Sequence, residues 1–407
     1  MTDDRLTEHV LSKAHLTFRP ARGALNHPYL VPGDGYDQQL WDWDSYWLTK
    51  GLLELADKFD EGTFAQILDH ARGSWLNFFE QQAGDGKIPI LITPESPDTF
   101  GCTLDATHKR NQAKPVLAQY AWAISCAQND FGWMKTYYPH LLRFLESWWR
   151  YYQSPCGLLV WGGDTAIGVD NDPTTYGRPP FSSANLLLNC LYYQELITAA
   201  HIGRQISRVD EADHLAQRAE ALKHSILSEC WDEQDGFFYT VDVQCRDQRD
   251  LFIPPEIPRG MAMNWHTVPL KLKTFTGFLP LWCGIATKEQ ARVVINRHWN
   301  TSNNSKATWG VRTLAKCEKM YAPEIESANP SNWLGPIWII ANYLVYSGFK
   351  NYGYDGEASL LAKKTRELLT RDLKQTNTLH ECYHPDTGQP NHISGFFSWN
   401  TLAAAMR

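Results

Sequence analysis

The chain has 407 residues, long enough for two domains by size and equally suited to one large ring of helices. Hydrophobic residues make up 43% and charged residues 20%, a balance that supports a buried core and excludes a disordered chain. The net charge is -7 and no run of Lys or Arg occurs, which argues against nucleic acid as a partner.

The first ten residues, MTDDRLTEHV, carry no basic stretch ahead of an apolar one, and no window of about 20 apolar residues follows anywhere. A cytoplasmic setting without membrane contact is expected. Nine scattered cysteines without a CxxC pair fit buried free thiols in that setting, and neither a metal nor another cofactor is expected.

The first helix is expected over 41–58. From 62 to 80, Phe64, Ile67, Leu68, Ala71, Trp75, Phe78 and Phe79 recur at steps of three and four, which places them on one helical stripe. Further helices are expected at 113–128, 132–153, 182–204, 274–286, 288–298, 332–347 and 395–406. The same period marks Leu215, Ala219, Leu222 and Ile226, and again Leu361, Leu368, Leu369 and Leu373. Short strand-like pieces such as Gly236 to Thr240 read as decorations at one rim.

About eleven helices joined by short turns predict an all-α fold of successive hairpins. No 34- or 40-residue repeat is present, so a closed (α/α)6 barrel in one domain over 1–407 is expected in place of an open solenoid. Long loops at one rim would carry the site: 29–41, 84–112, 155–181, 246–273 and 376–394 break the helical pattern and are rich in Gly, Pro and aromatics. The 246–273 segment, with Pro254-Pro255 and Arg259-Gly260, is expected to be a lid.

Three clusters carry candidate chemistry. Trp41-Asp42-Trp43-Asp44-Ser45-Tyr46-Trp47 interleaves carboxylates with indoles, which suits a sugar subsite, since an indole covers the apolar face of a sugar while charged groups meet its hydroxyls. Asp42 also fits a plain helix start. The second cluster is Trp161-Gly162-Gly163-Asp164 followed by Gly168-Val169-Asp170-Asn171-Asp172-Pro173; by composition it is a turn, and it lacks the spacing of a calcium loop. The third, His380-Glu381-Cys382-Tyr383-His384-Pro385-Asp386, lacks the helical HExxH spacing of a zinc site, which leaves Glu381 as a candidate base and Asp386 as a turn residue.

Taken together with Asn111-Gln112-Ala113-Lys114-Pro115 and Asn332-Trp333-Leu334-Gly335-Pro336-Ile337-Trp338, these clusters resemble, in order, glycoside hydrolase family 63 and its trehalase relatives in family 37. The similarity spans about residue 29 to the end and is nearest to the compact bacterial, mannosylglycerate hydrolase-like members. That resemblance implies an (α/α) barrel with Asp170 as general acid and Glu381 as general base, acting with inversion on a small carbohydrate. It also implies a sugar pocket built from Tyr36, Trp41, Trp43, Asp44, Gln112, Trp161, Arg178, Trp333 and Trp399. Arg178 reads equally well as a clamp on the 164–172 loop, and Trp338 reads as core. Many members carry Ser where this chain has Ile167, which alters the hydrogen bonding around the acid.

Inversion needs an acid and a base roughly 6.5–9.5 Å apart, the acid holding its proton in a dry site while the base stays ionised. A rival reading is a sugar epimerase using His266, His384 or His392, because imidazole titrates near neutrality. A carbohydrate-binding protein without catalysis is a second rival, although binding alone needs no opposed acid and base.

Overall fold

The computed structural model describes residues 4–245, 254, 256–257, 265–324, 331–391 and 393–407. Twelve α-helices alternate strictly between an outer and an inner layer along the described chain. The outer ones are α1 (Arg5–Lys13), α3 (Glu61–Glu80), α5 (Met134–Tyr152), α7 (Val209–Glu229), α9 (Lys288–Ile295) and α11 (Asp355–Thr376). The inner ones are α2 (Asp42–Leu53), α4 (Leu117–Gln128), α6 (Leu186–Gln205), α8 (Leu279–Trp282), α10 (Ile339–Asn351) and α12 (Leu402–Ala405). Each inner helix packs on the next, and α12 returns to α2, so the six close a ring. This is an (α/α)6 barrel.

Burial follows from the layer. In α7 only Ala212, Leu215, Ala219, Leu222 and Ile226 are buried, the single stripe of a helix with one face on the core. In α2 every residue from Asp42 to Thr49 is buried, because an inner helix has neighbours on all sides. Such a ring must also satisfy its own helix ends. The Glu195 carboxylate of α6 accepts from the Gln119 backbone N–H in the first turn of α4 at 3.2 Å, meeting a donor that lacks an intrahelical partner.

Several helix boundaries differ from expectation: those at 274–286 and 395–406 are each a 3-10 turn followed by a four-residue α-helix, and that at 182–204 begins at Leu186. The helix expected at 332–347 begins only at Ile339, because Pro336 lacks an N–H and Gly335 sits at φ +132°. The 41–58 helix ends at Leu53, with a separate 3-10 turn at Ala56–Lys58. A helix not anticipated, α1, precedes the others and packs through Leu6 and Val10.

The described strands are two residues long; Phe237–Phe238 pairs locally with Trp231–Asp232, whereas Leu40–Trp41 pairs with Leu91–Ile92 and Ser183–Ala184 with Val241–Asp242 across the chain. Most of the segment expected as a lid lies outside the described residues, and its described end, Val268–Pro269, pairs with Val241–Asp242. All nine cysteines are free. No described helix is long and apolar enough to cross a membrane.

Candidate active site

Trp43 and Asp44 at the entry of α2, Trp338 at the entry of α10 and Trp399 ahead of α12 line one cavity together with residues of the 155–181 and 376–394 segments. Asp42, the first residue of α2, is fully buried and accepts from the Lys114 backbone N–H at 2.7 Å and from its ammonium at 3.0 Å. The pair ties the entry of α2 to the entry of α4. Its ammonium also lies 5.3 Å from the centre of the Trp43 ring. With Asp42 committed to Lys114, Asp44 is the carboxylate of this turn that reaches the cavity, where Oδ1 accepts from Ser398 at 2.9 Å.

Asp170 sits on a loop held by its neighbours' side chains. The Asp172 carboxylate accepts from the Thr174 backbone N–H at 2.8 Å and from Asn185 at 2.9 Å, and Asp164 accepts from the Gly177 N–H at 2.8 Å. Asn185 also caps α6, so the loop is fixed to an inner helix. Asn171 accepts from the Trp333 backbone N–H at 2.6 Å and donates to Asn332 at 3.0 Å. That contact brings Ser331 to Asp170, where its hydroxyl bonds the carboxylate, while the Trp333 indole N–H donates to the same hydroxyl at 3.2 Å. Ile167, by contrast, is core.

Gly168 makes the loop possible. Its φ is +87°, and a Cβ there would lie 2.6 Å from the Trp43 ring and 2.7 Å from Lys114 Cε. Gly168→Ala is therefore expected to cost about 2 kcal/mol of stability, in the range for a non-glycine residue forced into this conformation. Denaturant titration checks this; an unmoved midpoint would mean that the loop relaxes freely.

Glu381 follows α11 in a short, heavily bonded turn. His380 Nδ1 and the Tyr383 hydroxyl both lie 2.8 Å from Asp372 Oδ2, and Tyr383 pairs with Ile337 through both backbone bonds, at 2.8 and 3.0 Å. These contacts turn Glu381 toward the ring axis, where the Tyr36 hydroxyl donates to its Oε1 at 2.9 Å.

Asp170 and Glu381 line one cavity of about 490 Å³. Of the residues named from the resemblance, Tyr36, Trp41, Trp43, Asp44 and Trp399 line it too. Four others lie elsewhere. Gln112 is fully buried and exchanges two hydrogen bonds with Ser147 of α5, at 2.9 and 3.0 Å. Trp161 packs on Trp148 in the core. Arg178 forms an ion pair with Asp242, so it clamps a strand and not the 164–172 loop. Trp333 stands behind the wall, stacked on Trp338 with centroids 4.0 Å apart.

Trp338 itself, expected as core, forms part of the lining, as do Phe100, Lys114, Asp164, Tyr176 and Ser331. Nothing in the local pattern around Ser331 or Tyr176 marks them; only the fold brings them to Asp170. His266 and His384 do not line the cavity, and His384 Nδ1 accepts from the Asp386 and Thr387 N–H groups. His392 lies outside the described residues.

Burial raises Asp44, Asp170 and Glu381. Asp44 is pushed up to about 7, chiefly by burial, against the pull of its bond to Ser398. Glu381 is pushed up to about 8 by burial, opposed by the Tyr36 bond and reinforced by the charges of Asp44 and Asp170. Asp170 is also raised by burial, but the Ser331 hydroxyl and the Lys114 charge favour its ionised form. Burial thus acts on both carboxyls, opposed in Asp170 by Ser331 and Lys114 and in Glu381 by Tyr36.

The family model for the mannosylglycerate hydrolase MGH1-like glycoside hydrolase domain matches residues 37–400. A probable mannosyl-oligosaccharide glucosidase of Schizosaccharomyces pombe is 23% identical over 357 residues, which cover 83% of this chain and 39% of that protein. A mannosylglycerate hydrolase of Thermus thermophilus is 25% identical over 183 residues, covering 44% of this chain and 34% of its own length. The matched regions thus span well under half of these two relatives. Among solved structures, a GH63 mannosylglycerate hydrolase from Thermus thermophilus in complex with glucose superimposes with a TM-score of 0.68 at 20% identity, covering 99% of this chain and 98% of that one. The neutral trehalase of Saccharomyces cerevisiae gives 0.64 at 18% identity, over 93% of this chain and 72% of its own. A family model that spans nearly the whole barrel, cavity loops included, identifies the chain as a member of the mannosylglycerate hydrolase MGH1-like glycoside hydrolase family.

Proposed function

We propose that the chain hydrolyses a small α-glycoside with inversion, a glucoside first among the candidates, with Asp170 as general acid and Glu381 as general base. The observation that carries this reading is that both carboxyls line one aromatic-walled cavity, each on a loop braced from behind. Asp170 protonates the glycosidic oxygen as its bond to the anomeric carbon breaks. Glu381 takes a proton from a water that attacks the opposite face, so the ring inverts without a covalent glycosyl-enzyme. Asp44 accepts a sugar hydroxyl, and the indoles of Trp43, Trp338 and Trp399 wall the ring.

Similarity to a mannosylglycerate hydrolase and to a neutral trehalase supports a second choice of substrate, an α-mannosyl- or glucosylglycerate, and a third, trehalose.

The stereochemistry of the product tests the mechanism. Proton NMR of an α-glycoside digest should show the β-anomer first, before mutarotation mixes the two. An initial α-anomer would mean retention, with Glu381 or another carboxylate as nucleophile about 5–5.5 Å from the acid.

A further inference from the structure

We infer that a second cavity of the ring, walled by α2, α4, α6 and α8, binds a neutral polyhydroxylated ligand, a free sugar or polyol, away from the catalytic cavity. The inference is independent of the glycosidase reading and concerns a site which that reading does not use.

The second cavity measures about 570 Å³, within the range of small-molecule sites, and shares no lining residue with the catalytic one. Helix α2 serves both. Trp43 and Asp44 at its entry line the catalytic cavity, and Lys50, six residues and about 9 Å further along the axis, lines the second. Packing of α2 on α4, of α4 on α6 and of α6 on α8 builds the wall.

The polar groups there are mostly neutral, and two are fixed in orientation. The amide nitrogen of buried Gln119 donates to the Pro115 carbonyl at 3.3 Å and to Glu195 Oε2 at 3.2 Å. Both amide hydrogens are thereby committed, and no described donor meets the carbonyl oxygen. Gln194 donates to the Cys283 carbonyl at 3.3 Å, which leaves its own carbonyl oxygen open in the same way. The Thr198 hydroxyl and the indole N–H groups of half-buried Trp122 and Trp282 have no hydrogen-bond partner among the described residues. Acceptors and donors thus line one space beside two indole rings, the mixture that a sugar meets with its hydroxyls and its apolar C–H face.

Charge favours a neutral ligand. The charged side chains of the lining, Lys50 and Glu54, pair at 3.5 Å one turn apart on α2 and cancel. An ion would find no uncommitted opposite charge, and a hydrocarbon would strip water from the amides and the hydroxyl without replacing its hydrogen bonds.

The test is an NMR titration of protein labelled with nitrogen-15 at the tryptophan indoles, each signal assigned by a single Trp→Phe substitution. Glucose, mannose and myo-inositol are the probes, with sodium sulfate and cyclohexanol as the anionic and apolar controls. The Trp122 and Trp282 signals should shift saturably with at least one probe, at a midpoint of their own, distinct from that of Trp43 and Trp399 in the catalytic cavity. The double variant Gln194→Leu, Thr198→Val removes hydrogen-bonding groups and keeps the bulk. It should raise that midpoint about tenfold while the catalytic-cavity signals titrate as before. The inference is overturned if Trp122 and Trp282 stay still, move only in step with Trp43 and Trp399, respond to a control at lower concentration than to any probe, or keep their midpoint in the double variant. None of those results touches the glycosidase reading, which sugar release from an α-glycosyl fluoride reports separately.

Discussion

Asp170→Asn and Glu381→Gln should each lower kcat for a disaccharide by about 10²–10⁴-fold, the range a positioned proton-transfer group supplies, with the fold intact. Each keeps the side-chain shape and removes one proton role. The two differ in what rescues them. Fluoride leaves without needing a proton, so an α-glycosyl fluoride should recover most of the activity lost in Asp170→Asn. It should recover little in Glu381→Gln, where the attacking water still lacks a base. The opposite pattern would exchange the roles of the two carboxyls. Near-normal turnover of the disaccharide by either variant would move the assignment to Asp44, since Asp172 is committed to its own loop and Asp164 lies toward the mouth.

The barrel was legible because its outer helices carry their period openly. Leu215, Ala219, Leu222 and Ile226 mark one buried stripe, and the stripe needs a partner layer. The inner helices were harder to bound. Their all-round burial removes the amphipathic signal, and α8 and α12 are only four residues long, each preceded by a 3-10 turn. The α10 boundary was missed for a local reason, the Gly335-Pro336 pair ahead of Trp338.

The cavity was partly legible. Asp44, Asp170 and Glu381 lie in short motifs whose resemblance to a known family names them, and all three line the same space. Gln112 lies in one of those motifs too, yet its amide is consumed by Ser147 of the outer layer, a partner 35 residues away that no local pattern shows. Trp333 and Trp338 are five residues apart and stacked, and which of two stacked indoles faces the cavity depends on the turn at Gly335. Ser331 and Tyr176 show the same limit from the other side. Each is an ordinary residue until the 155–181 loop is folded against the 331–338 segment.

The second large effect is on pH, and its sign follows from Glu381. Base catalysis needs Glu381 ionised, and its carboxyl is pushed up to about 8 from 4.5, so kcat/KM should climb through neutrality and its acid limb should lie near 8. Asp170 must keep its proton at the same time. Once Glu381 is charged, its field makes the neighbouring carboxyl hold a proton harder, so the limbs belong to the cluster of acids and not to single residues. Burial sets the acid limb, and the Tyr36 bond holds it down. The Tyr36 phenol is held far above its ordinary value, by burial first and by the charge of Glu381 second, so it remains a donor at any working pH and favours ionised Glu381. Tyr36→Phe should move the acid limb up by about one unit and lower kcat/KM at pH 7 about tenfold. The same protons bear on stability. A carboxyl whose folded value is raised stabilises the fold fully below its unfolded value and loses that contribution as pH rises through the folded one, so Asp44 and Glu381 should make the melting temperature fall between about pH 4 and 8. A wild-type acid limb near 4.5 would overturn the raised Glu381 carboxyl, and a Tyr36→Phe variant whose KM rises while its limb stays in place would show that Tyr36 contacts the sugar without tuning the base.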